Sequence, residues 1–301
     1  ELNYSGAKLR NTASNDDVND FFRTGATFNN SISVSGGTET VRTYFSYANS
    51  YSDGMMRNNN YKRNTLSFRQ SYSLFNKKLN VDLSLNYVQA KTKNRPGGGT
   101  VMNPLYDLYR MPRNVDLNYY KENYYIENGK WTSNEQSYFD SKNNKWTTGT
   151  VELTGPKQEW AYWQNGMNNP YWMVNTRNSI SEEERAYGYI SANYQIIDGL
   201  KIQGRLSLDR TKMKGTSERM ATTWNISAME DYGMYGQDLN WINEVYVDAL
   251  LSYDKQIKDF SISATTGWTG HTLKGETQKL WAKATTANWK HDTMPTLINF
   301  F

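Results

Sequence analysis

Hydrophobic and polar residues alternate with a period of two along several long stretches of this 301-residue chain. Over residues 79–87 the odd positions are Leu, Val, Leu, Leu and Tyr, and the even positions are Asn, Asp, Ser and Asn. Because successive side chains of a β-strand point to opposite faces, this alternation predicts strands with one apolar and one polar face. The same pattern recurs at 65–74, 190–196, 201–209, 244–253 and 260–269.

The predicted strands are joined by connections of two alternating lengths. The short ones are 36–40, 75–78, 197–199 and 254–259, and the long ones are 52–62, 92–183 and 212–242. Short turns at one end and long loops at the other are typical of outer-membrane barrels, and aromatic residues near the strand ends suit their interfacial girdles. We therefore predict an all-β fold, an antiparallel transmembrane β-barrel segment of about eight strands with long extracellular loops.

Two other architectures use similar strands. Eight strands could close a small barrel, although such a barrel does not need loops of this length. A soluble antiparallel sandwich would use the apolar face as its core. The polar faces, rich in Ser, Asn, Thr and Gln, and a loop of about ninety residues disfavour the sandwich.

Composition excludes several classes of protein. The chain is 37% apolar and 21% charged but contains 23 Tyr and 10 Trp, whereas disordered chains are poor in aromatic residues. The formal net charge is +4 and the basic residues do not cluster, so we expect no nucleic-acid partner. The lack of cysteine fits a cytosolic or an envelope protein. A start at Glu1 without a leader segment leads us to expect a fragment.

The sequence offers little support for catalysis. His271 and His291 are the two histidines, and neither has the spacing of a metal site or a catalytic triad. The spacing of Gly270 and Gly275 imitates a phosphate-binding loop, but Glu276 stands where that loop needs Lys. We therefore predict no catalytic residues, no metal site and no cofactor.

Ligand contact is instead predicted in the longest loop, which is rich in aromatic, Asn and Gln residues. Aromatic faces stack on the apolar faces of sugar rings, and amides bind hydroxyl groups. The candidate ligand-binding residues are Trp131, Trp160, Trp163, Tyr171 and Trp172. The alternative is that these rings form a small core of the loop itself.

Several motifs occur in a fixed order along residues 16–272. They are Asp20-Phe21-Phe22-Arg23-Thr24-Gly25, the segment 29–37, Tyr44-Phe45-Ser46-Tyr47, Asp53-Gly54, Asn60-Tyr61-Lys62-Arg63-Asn64, Asn103-Pro104-Leu105-Tyr106, Pro112-Arg113 and Asn169-Pro170-Tyr171-Trp172. Together they resemble the early barrel portion of the SusC/RagA family of TonB-dependent outer-membrane transporters.

The resemblance implies a 22-stranded barrel closed by a plug domain. It also implies a SusD-like surface lipoprotein as partner, contact with TonB through the plug, and import of oligosaccharides or peptides. The chain would lie in the bacterial outer membrane, in contact with its lipid, and would do no chemistry. No plug is present in this sequence, so the chain resembles a segment of such a barrel.

On this interpretation the chain divides into five parts. Residues 1–26 connect from the missing plug, 27–91 form the first four barrel strands, and 92–184 form a long extracellular loop. Residues 185–272 form four further strands, and 273–301 begin an outer loop. The alternatives are a self-contained eight-stranded outer-membrane adhesin or structural barrel, and a secreted glycan-binding β-protein or glycosidase.

Overall fold

The protein is described by a computed structural model covering residues 18–97, 99, 102–112, 114–160, 166–225, 228–229 and 232–283. Its fold is all-β, and its main element is an antiparallel sheet of eight strands, consistent with a barrel segment. These strands are β1 (Ala26–Gly37), β2 (Val41–Asp53), β3 (Asn60–Leu74), β4 (Leu79–Lys93), β7 (Asn178–Ile197), β8 (Leu200–Arg219), β11 (Met234–Ile257) and β12 (Phe260–Lys283).

The strands of the large sheet pair in the order in which they occur along the chain. Each strand is antiparallel to its neighbour, in the order β1-β2-β3-β4-β7-β8-β11-β12. Over the described residues β1 and β12 do not pair with each other, so the sheet is open. The two outer edges of the sheet therefore carry unpaired backbone groups.

The register produces one apolar face and one polar face. On the face that we call the apolar face, Phe45 lies opposite Phe68, Phe68 opposite Leu85, and Leu206 opposite Val247. On the other, the polar face, Ser67 lies opposite Asn86, and Ser207 lies opposite Tyr246. The apolar face exposes large side chains to its surroundings, including Phe28, Ile32, Leu85, Leu208, Ile262 and Trp268.

Three of the short connections agree with the sequence prediction to within two residues, whereas the fourth, predicted at 254–259, is only the turn 258–259 because β11 continues to Ile257. The strands also extend further into the long connections. The connection between β2 and β3 spans only 54–59, and that between β8 and β11 spans 220–233. Strand β7 begins at Asn178 and β12 continues to Lys283, within segments that we had assigned to loops. Alternation is weak there because both faces carry polar residues, as in the run 182–184. The five-part division of the chain stays a prediction.

The tight turn between β3 and β4 uses residues in the left-handed region of backbone conformation. Phe75, Asn76 and Lys77 have φ angles of 52°, 54° and 69°. The turn between β7 and β8 uses Gly199 at φ 82°, where a glycine avoids the steric cost of a side chain. These turns hold the hairpins together at the end of the sheet that we call the short-turn end.

The opposite end of the sheet carries a small folded unit, which we call the cap. It comprises helices α1 (Pro104–Arg110), α2 (Leu117–Glu122) and α3 (Pro170–Thr176), the hairpin of β5 (Tyr125–Asp140) and β6 (Lys145–Gln158), and the segment 220–225. Residues Trp224–Asn225 form β9, which pairs with β10 (Ala228–Met229). No helix in the described ranges is long and apolar enough to cross a membrane.

Three asparagines join the cap to the sheet. Asn58 Nδ2 donates to the Val174 carbonyl at 3.0 Å, and Asn59 Nδ2 donates to the Lys93 carbonyl at 3.0 Å. Asn94 Nδ2 donates to the Asn58 carbonyl at 3.1 Å. The connection between β2 and β3 is thereby held against both the end of β4 and helix α3.

Candidate ligand-binding surfaces

Two of the sequence motifs form helix N-termini in the cap. Asn103 is the N-cap of α1 and its side chain accepts a hydrogen bond from the Leu105 N–H at 3.1 Å. Asn169 is the N-cap of α3 and accepts from the Tyr171 N–H at 2.8 Å. In both helices Pro follows the cap, where its missing N–H removes no intrahelical bond. The Asn-Pro pairs thus start the helices that position the neighbouring aromatic rings.

Four of the five candidate ligand-binding residues lie in the interior of the cap. Trp160 packs edge-on against Tyr120 with ring centroids 4.9 Å apart, and Tyr171 packs against Phe21 at 5.1 Å. Trp131 and Trp172 lie in an adjacent cluster with Leu153, Met220 and Ala221. The Trp172 indole N–H donates to Thr223 Oγ1 at 2.9 Å.

These rings have little exposed surface. The exposed fractions are 5% for Trp131, 2% for Trp160, 1% for Tyr171 and 0% for Trp172. Trp163 lies outside the described residues. Because protein atoms cover the described rings, contact with a ligand would require the cap to open, and ligand binding by these residues stays a prediction.

A buried polar network holds the aromatic clusters of the cap together. Gln158 Nε2 donates to Asn168 Oδ1 at 3.1 Å and to the Thr222 carbonyl. Gln158 Oε1 accepts from the Asn169 N–H at 2.9 Å. Asn168 Oδ1 also accepts from the Trp224 N–H at 2.8 Å. The network joins the end of β6, the start of α3 and the segment after β8, so three distant parts of the chain form one unit.

The carboxyl group of Asp107 belongs to the same interior. Its Oδ2 accepts a hydrogen bond from the Asn168 N–H at 3.0 Å, and the residue is 4% exposed. Burial raises the pKa of this carboxyl from 3.8 to about 6, because water no longer solvates the charged form. The Asn168 N–H and the nearby Arg110 partly oppose that rise.

A second candidate surface lies on the polar face, where charged and aromatic residues gather on β7, β8, β11 and β12. Arg185 Nε donates to both carboxylate oxygens of Asp209, at 3.0 and 3.1 Å. Arg205 Nε donates to Asp248 Oδ2 at 2.8 Å, and Asp248 is 2% exposed. Each pair joins adjacent strands, so the charges are paired across the sheet.

Aromatic rings complete this surface. The Arg185 guanidinium lies 4.8 Å from the centroid of the Tyr187 ring, within cation–π distance. The Arg205 guanidinium lies 5.9 Å from the centroid of Tyr246. His271 Nε2 lies 2.8 Å from Glu244 Oε1, so the two side chains share a hydrogen bond.

Two open cavities follow the polar face. One of about 450 Å³ is bordered by residues of β3, β4, β7, β8 and β11, among them Arg69, Asn86, Tyr189, Asp209 and Tyr246. Five adjacent strands span about 19 Å, so a cavity bordered by all of them requires a concave polar face. A second cavity of about 460 Å³ lies near the short-turn end of β1–β3, beside Arg42, Tyr44 and Arg69.

Chemically, the polar face offers guanidinium groups, carboxylates, hydroxyls and aromatic rings to a polar ligand or to another protein segment. In the described part of the chain, no group of three or more His, Asp or Glu residues could hold a metal ion. Arg69, Arg205, Asp209 and Asp248 lie at polar positions of the alternating stretches 65–74, 201–209 and 244–253, but no site was predicted there. The available signal was the presence of charged residues in the middle of long alternating strands, at positions opposite the apolar side chains.

The fold has counterparts among solved structures. The structure of the RagAB peptide importer in the closed-closed state matches with a TM-score of 0.62 and 19% identity, over 91% of this chain and 27% of that chain. The open-open state matches with a TM-score of 0.63 and 18% identity, over 92% of this chain and 28% of that chain. A structure of the RagAB peptide transporter matches with a TM-score of 0.61 and 18% identity, over 90% of this chain and 27% of that chain.

These likenesses concern the fold, and the chain spans about a quarter of the length of these neighbours. No protein-family model matches the chain, and none of the curated proteins matches its sequence.

Proposed function

We propose that this chain forms part of the barrel wall of a TonB-dependent importer in the bacterial outer membrane. The polar face lines the interior of the barrel and the apolar face contacts lipid. The cap lies at the extracellular mouth, because long connections face outward in such barrels and short turns face the periplasm. The chain performs no catalysis.

The observation that carries this proposal is the division of the eight-stranded sheet into two faces. Ile32, Leu208 and Ile262 are exposed by 64%, 53% and 49%, which an aqueous environment would not favour over so wide a surface. The opposite face holds the paired charges Arg185–Asp209 and Arg205–Asp248. A sheet that is apolar toward lipid and polar toward a lumen has this distribution.

The fold neighbours support transport and suggest its cargo. They are named as the RagAB peptide importer and the RagAB peptide transporter. We propose that this importer takes up peptides or oligosaccharides, with peptides as the first cargo to test. It works with a SusD-like surface lipoprotein above the cap, and TonB reaches it through a plug domain.

The test is uptake by cells that produce the complete transporter together with its adjacent lipoprotein. Fluorescent peptide and oligosaccharide mixtures are supplied separately, and uptake is compared with strains that lack TonB or the lipoprotein. We expect uptake of one cargo class, lost in both deletion strains. A correctly inserted protein that imports neither class, or imports without TonB, contradicts the proposal.

The open sheet disfavours the closed eight-stranded barrel considered above. That architecture requires hydrogen bonds between the first and last strands, and within the described residues β1 and β12 have no such pairing. The secreted β-protein is disfavoured because its apolar face would need a second layer to cover it.

A further inference from the structure

Three basic residues lie close together on the apolar face of β8 and β12. Arg210 on β8 is in register with Asn243 on β11, and Asn243 is in register with Lys274 on β12. Lys212, two residues beyond Arg210, is in register with Trp241. The three cations therefore surround Asn243 and Trp241 on the strand between them.

The neighbouring residues on β8 and β11 show where the three basic residues lie along the strands. The preceding position of the same face on β8 is Leu208, which lies opposite Val245. Arg210 follows about 7 Å further along the strand, at the edge of the apolar surface. Aromatic residues such as Trp241 are typical of this level in membrane barrels, where the hydrocarbon meets the headgroups.

The basic residues are not neutralised by ion pairs. Among the described residues, no carboxylate lies within 4.0 Å of the charged nitrogens of Arg210, Lys212 or Lys274. Three carboxylates are nearby along the sheet. Glu184 is in register with Lys212, and Glu276 is in register with Trp241. Glu182 interacts electrostatically with Lys212 and Lys214, but it forms its ion pair with Lys91 at 2.7 Å. Glu276 Oε1 accepts a hydrogen bond from Gln278 Nε2 at 2.8 Å. The local balance favours positive charge.

The other end of the apolar face differs. On the described strands, the cation found near the short-turn end of this face is Lys255, and its Nζ lies 3.3 Å from Asp198 Oδ2. On the described strands, the cations of the apolar face that lack an ion pair thus lie at the cap end, whereas Lys78 and Lys258 at the short-turn end lie in the turns and not on the strands. This asymmetry suits the binding of anionic lipid headgroups at the cap end of the apolar face.

We propose that Arg210, Lys212 and Lys274 form a binding site for anionic, phosphate-bearing lipid headgroups in the membrane leaflet nearest the cap. The site rests on the proposed function, which places the apolar face in lipid. The backbones of Arg210 and Lys274 are two strand spacings apart, about 10 Å, so both long side chains can reach one phosphate above Asn243. Arg binds phosphate through two parallel hydrogen bonds, and Lys adds a point charge.

The test uses the complete transporter purified in detergent, with bound lipid measured by native mass spectrometry. Phosphatidylglycerol and phosphatidylcholine are added in equal amounts to the wild type and to the triple variant Arg210→Gln, Lys212→Gln, Lys274→Gln. We expect the wild type to retain phosphatidylglycerol preferentially. In the triple variant, the ratio of retained phosphatidylglycerol to retained phosphatidylcholine should fall by roughly fivefold for each charge removed.

Further variants keep the test specific to this site. The triple variant Lys78→Gln, Lys255→Gln, Lys258→Gln removes three charges from the short-turn end and should keep the preference. The variant Arg210→Lys, Lys212→Arg, Lys274→Arg keeps all three positive charges and should also keep the preference for phosphatidylglycerol. Glu184→Gln removes a nearby negative charge and should strengthen that preference. Excess inorganic phosphate should not displace the lipid, because the apolar tails add to its binding.

Equal lipid retention by the wild type and the first triple variant would overturn the proposal, as would equal losses in both triple variants. Displacement by inorganic phosphate would reassign the site to free anions and equally overturn it. Folding is checked by the mobility shift between unheated and heated samples in electrophoresis. A transporter that inserts and imports cargo without any anionic preference refutes only this site, whereas failure to insert refutes the proposed function.

Discussion

Asn94 shows how a single side chain ends a strand and starts the next unit. Its φ is 52°, in the left-handed region that Asn tolerates better than most residues. Its Oδ1 accepts from the Ser179 N–H at 2.8 Å, while its Nδ2 binds the Asn58 carbonyl. The residue is 9% exposed. One carboxamide thus turns the chain out of β4 and anchors the beginning of β7.

Some residue roles of this kind could be predicted from sequence and others could not. The pairs Asn103-Pro104 and Asn169-Pro170 have the residue types of helix N-termini, a signal that was present in the sequence but was interpreted only as part of the family resemblance. The partners of Asn94 and Gln158 could not be predicted, because they lie far away along the chain. Gln158, for example, bonds to Thr222, which is 64 residues away.

Asp107→Asn tests whether the buried carboxyl makes the cap sensitive to pH. The pKa of Asp107 in the folded protein, about 6, is above its ordinary value of 3.8. Its contribution to cap stability is therefore fully present below about pH 4 and is lost as the pH rises through about 6. Asn carries no charge, and its Oδ1 can still accept the Asn168 N–H.

We expect the wild-type cap to lose up to about 3 kcal/mol of stability between pH 4 and pH 7, and the variant to be nearly insensitive to pH over that range. Hydrogen exchange of amides in residues 166–175 of the complete protein, corrected for the intrinsic pH dependence of exchange, measures this. Equal pH dependence in the wild type and the variant would show that Asp107 is not responsible.

At the scale of elements, the hairpin of β5 and β6 depends on a few buried contacts near its base. An isolated two-stranded hairpin is marginally stable in water. Here Trp131 and Leu153 pack into a cluster with Trp172, Met220 and Ala221. Toward the tip, Trp146 is 71% exposed. The base is therefore fixed by the cap interior, and the tip is exposed to solvent.

This hairpin was not predicted from the sequence. Its pairing register shifts between Ile126 and Gly129 and again between Ser133 and Gln136. Each shift interrupts the period of two on which the strand prediction depended. The short helices α1, α2 and α3 were missed for a related reason, because six or seven residues are too few to show a helical period.

Trp131→Ala and Trp146→Ala form a matched pair on one hairpin. Removing the buried Trp131 ring should destabilise the hairpin by about 3–5 kcal/mol, which exceeds what a two-stranded element can lose. We expect rapid proteolytic cleavage within residues 125–158 of the folded Trp131 variant, with the sheet still intact. Trp146→Ala should be cleaved at the wild-type rate. Similar cleavage of both variants would mean that the buried base does not control the hairpin.

At the scale of the whole molecule, the large sheet is open, since β1 and β12 do not pair within the described residues. The eight strands could be predicted because most of each strand alternates, and the short turns indicate the hairpins β1–β2, β3–β4, β7–β8 and β11–β12. The polar-face site could not be predicted, since the Arg205–Asp248 pair forms only when β8 and β11 adopt their register across the connection 220–233. Register depends on the exact strand ends, which alternation does not define.

The open edges predict how the 301 residues behave alone. On the proposed function, the backbone groups that β1 and β12 leave unpaired among the described residues cannot be satisfied in hydrocarbon, so the 301 residues produced alone should not insert as a stable species. We expect a heat-dependent shift in electrophoretic mobility for the complete reading frame and none for the segment. Such a shift in the segment by itself would mean that its first and last strands pair, which would favour a closed eight-stranded barrel.

The polar network of the cap also imposes an order of assembly. Trp172 and Gln158 bind Thr223 and Thr222, and these threonines follow β8, the strand that comes after the whole α3–β7 segment. Until the chain after β8 is in place, the Trp172 indole and the Gln158 backbone N–H therefore lack these partners. Closure of the cap thus requires that the β7–β8 hairpin has formed, so the cap is completed late in folding.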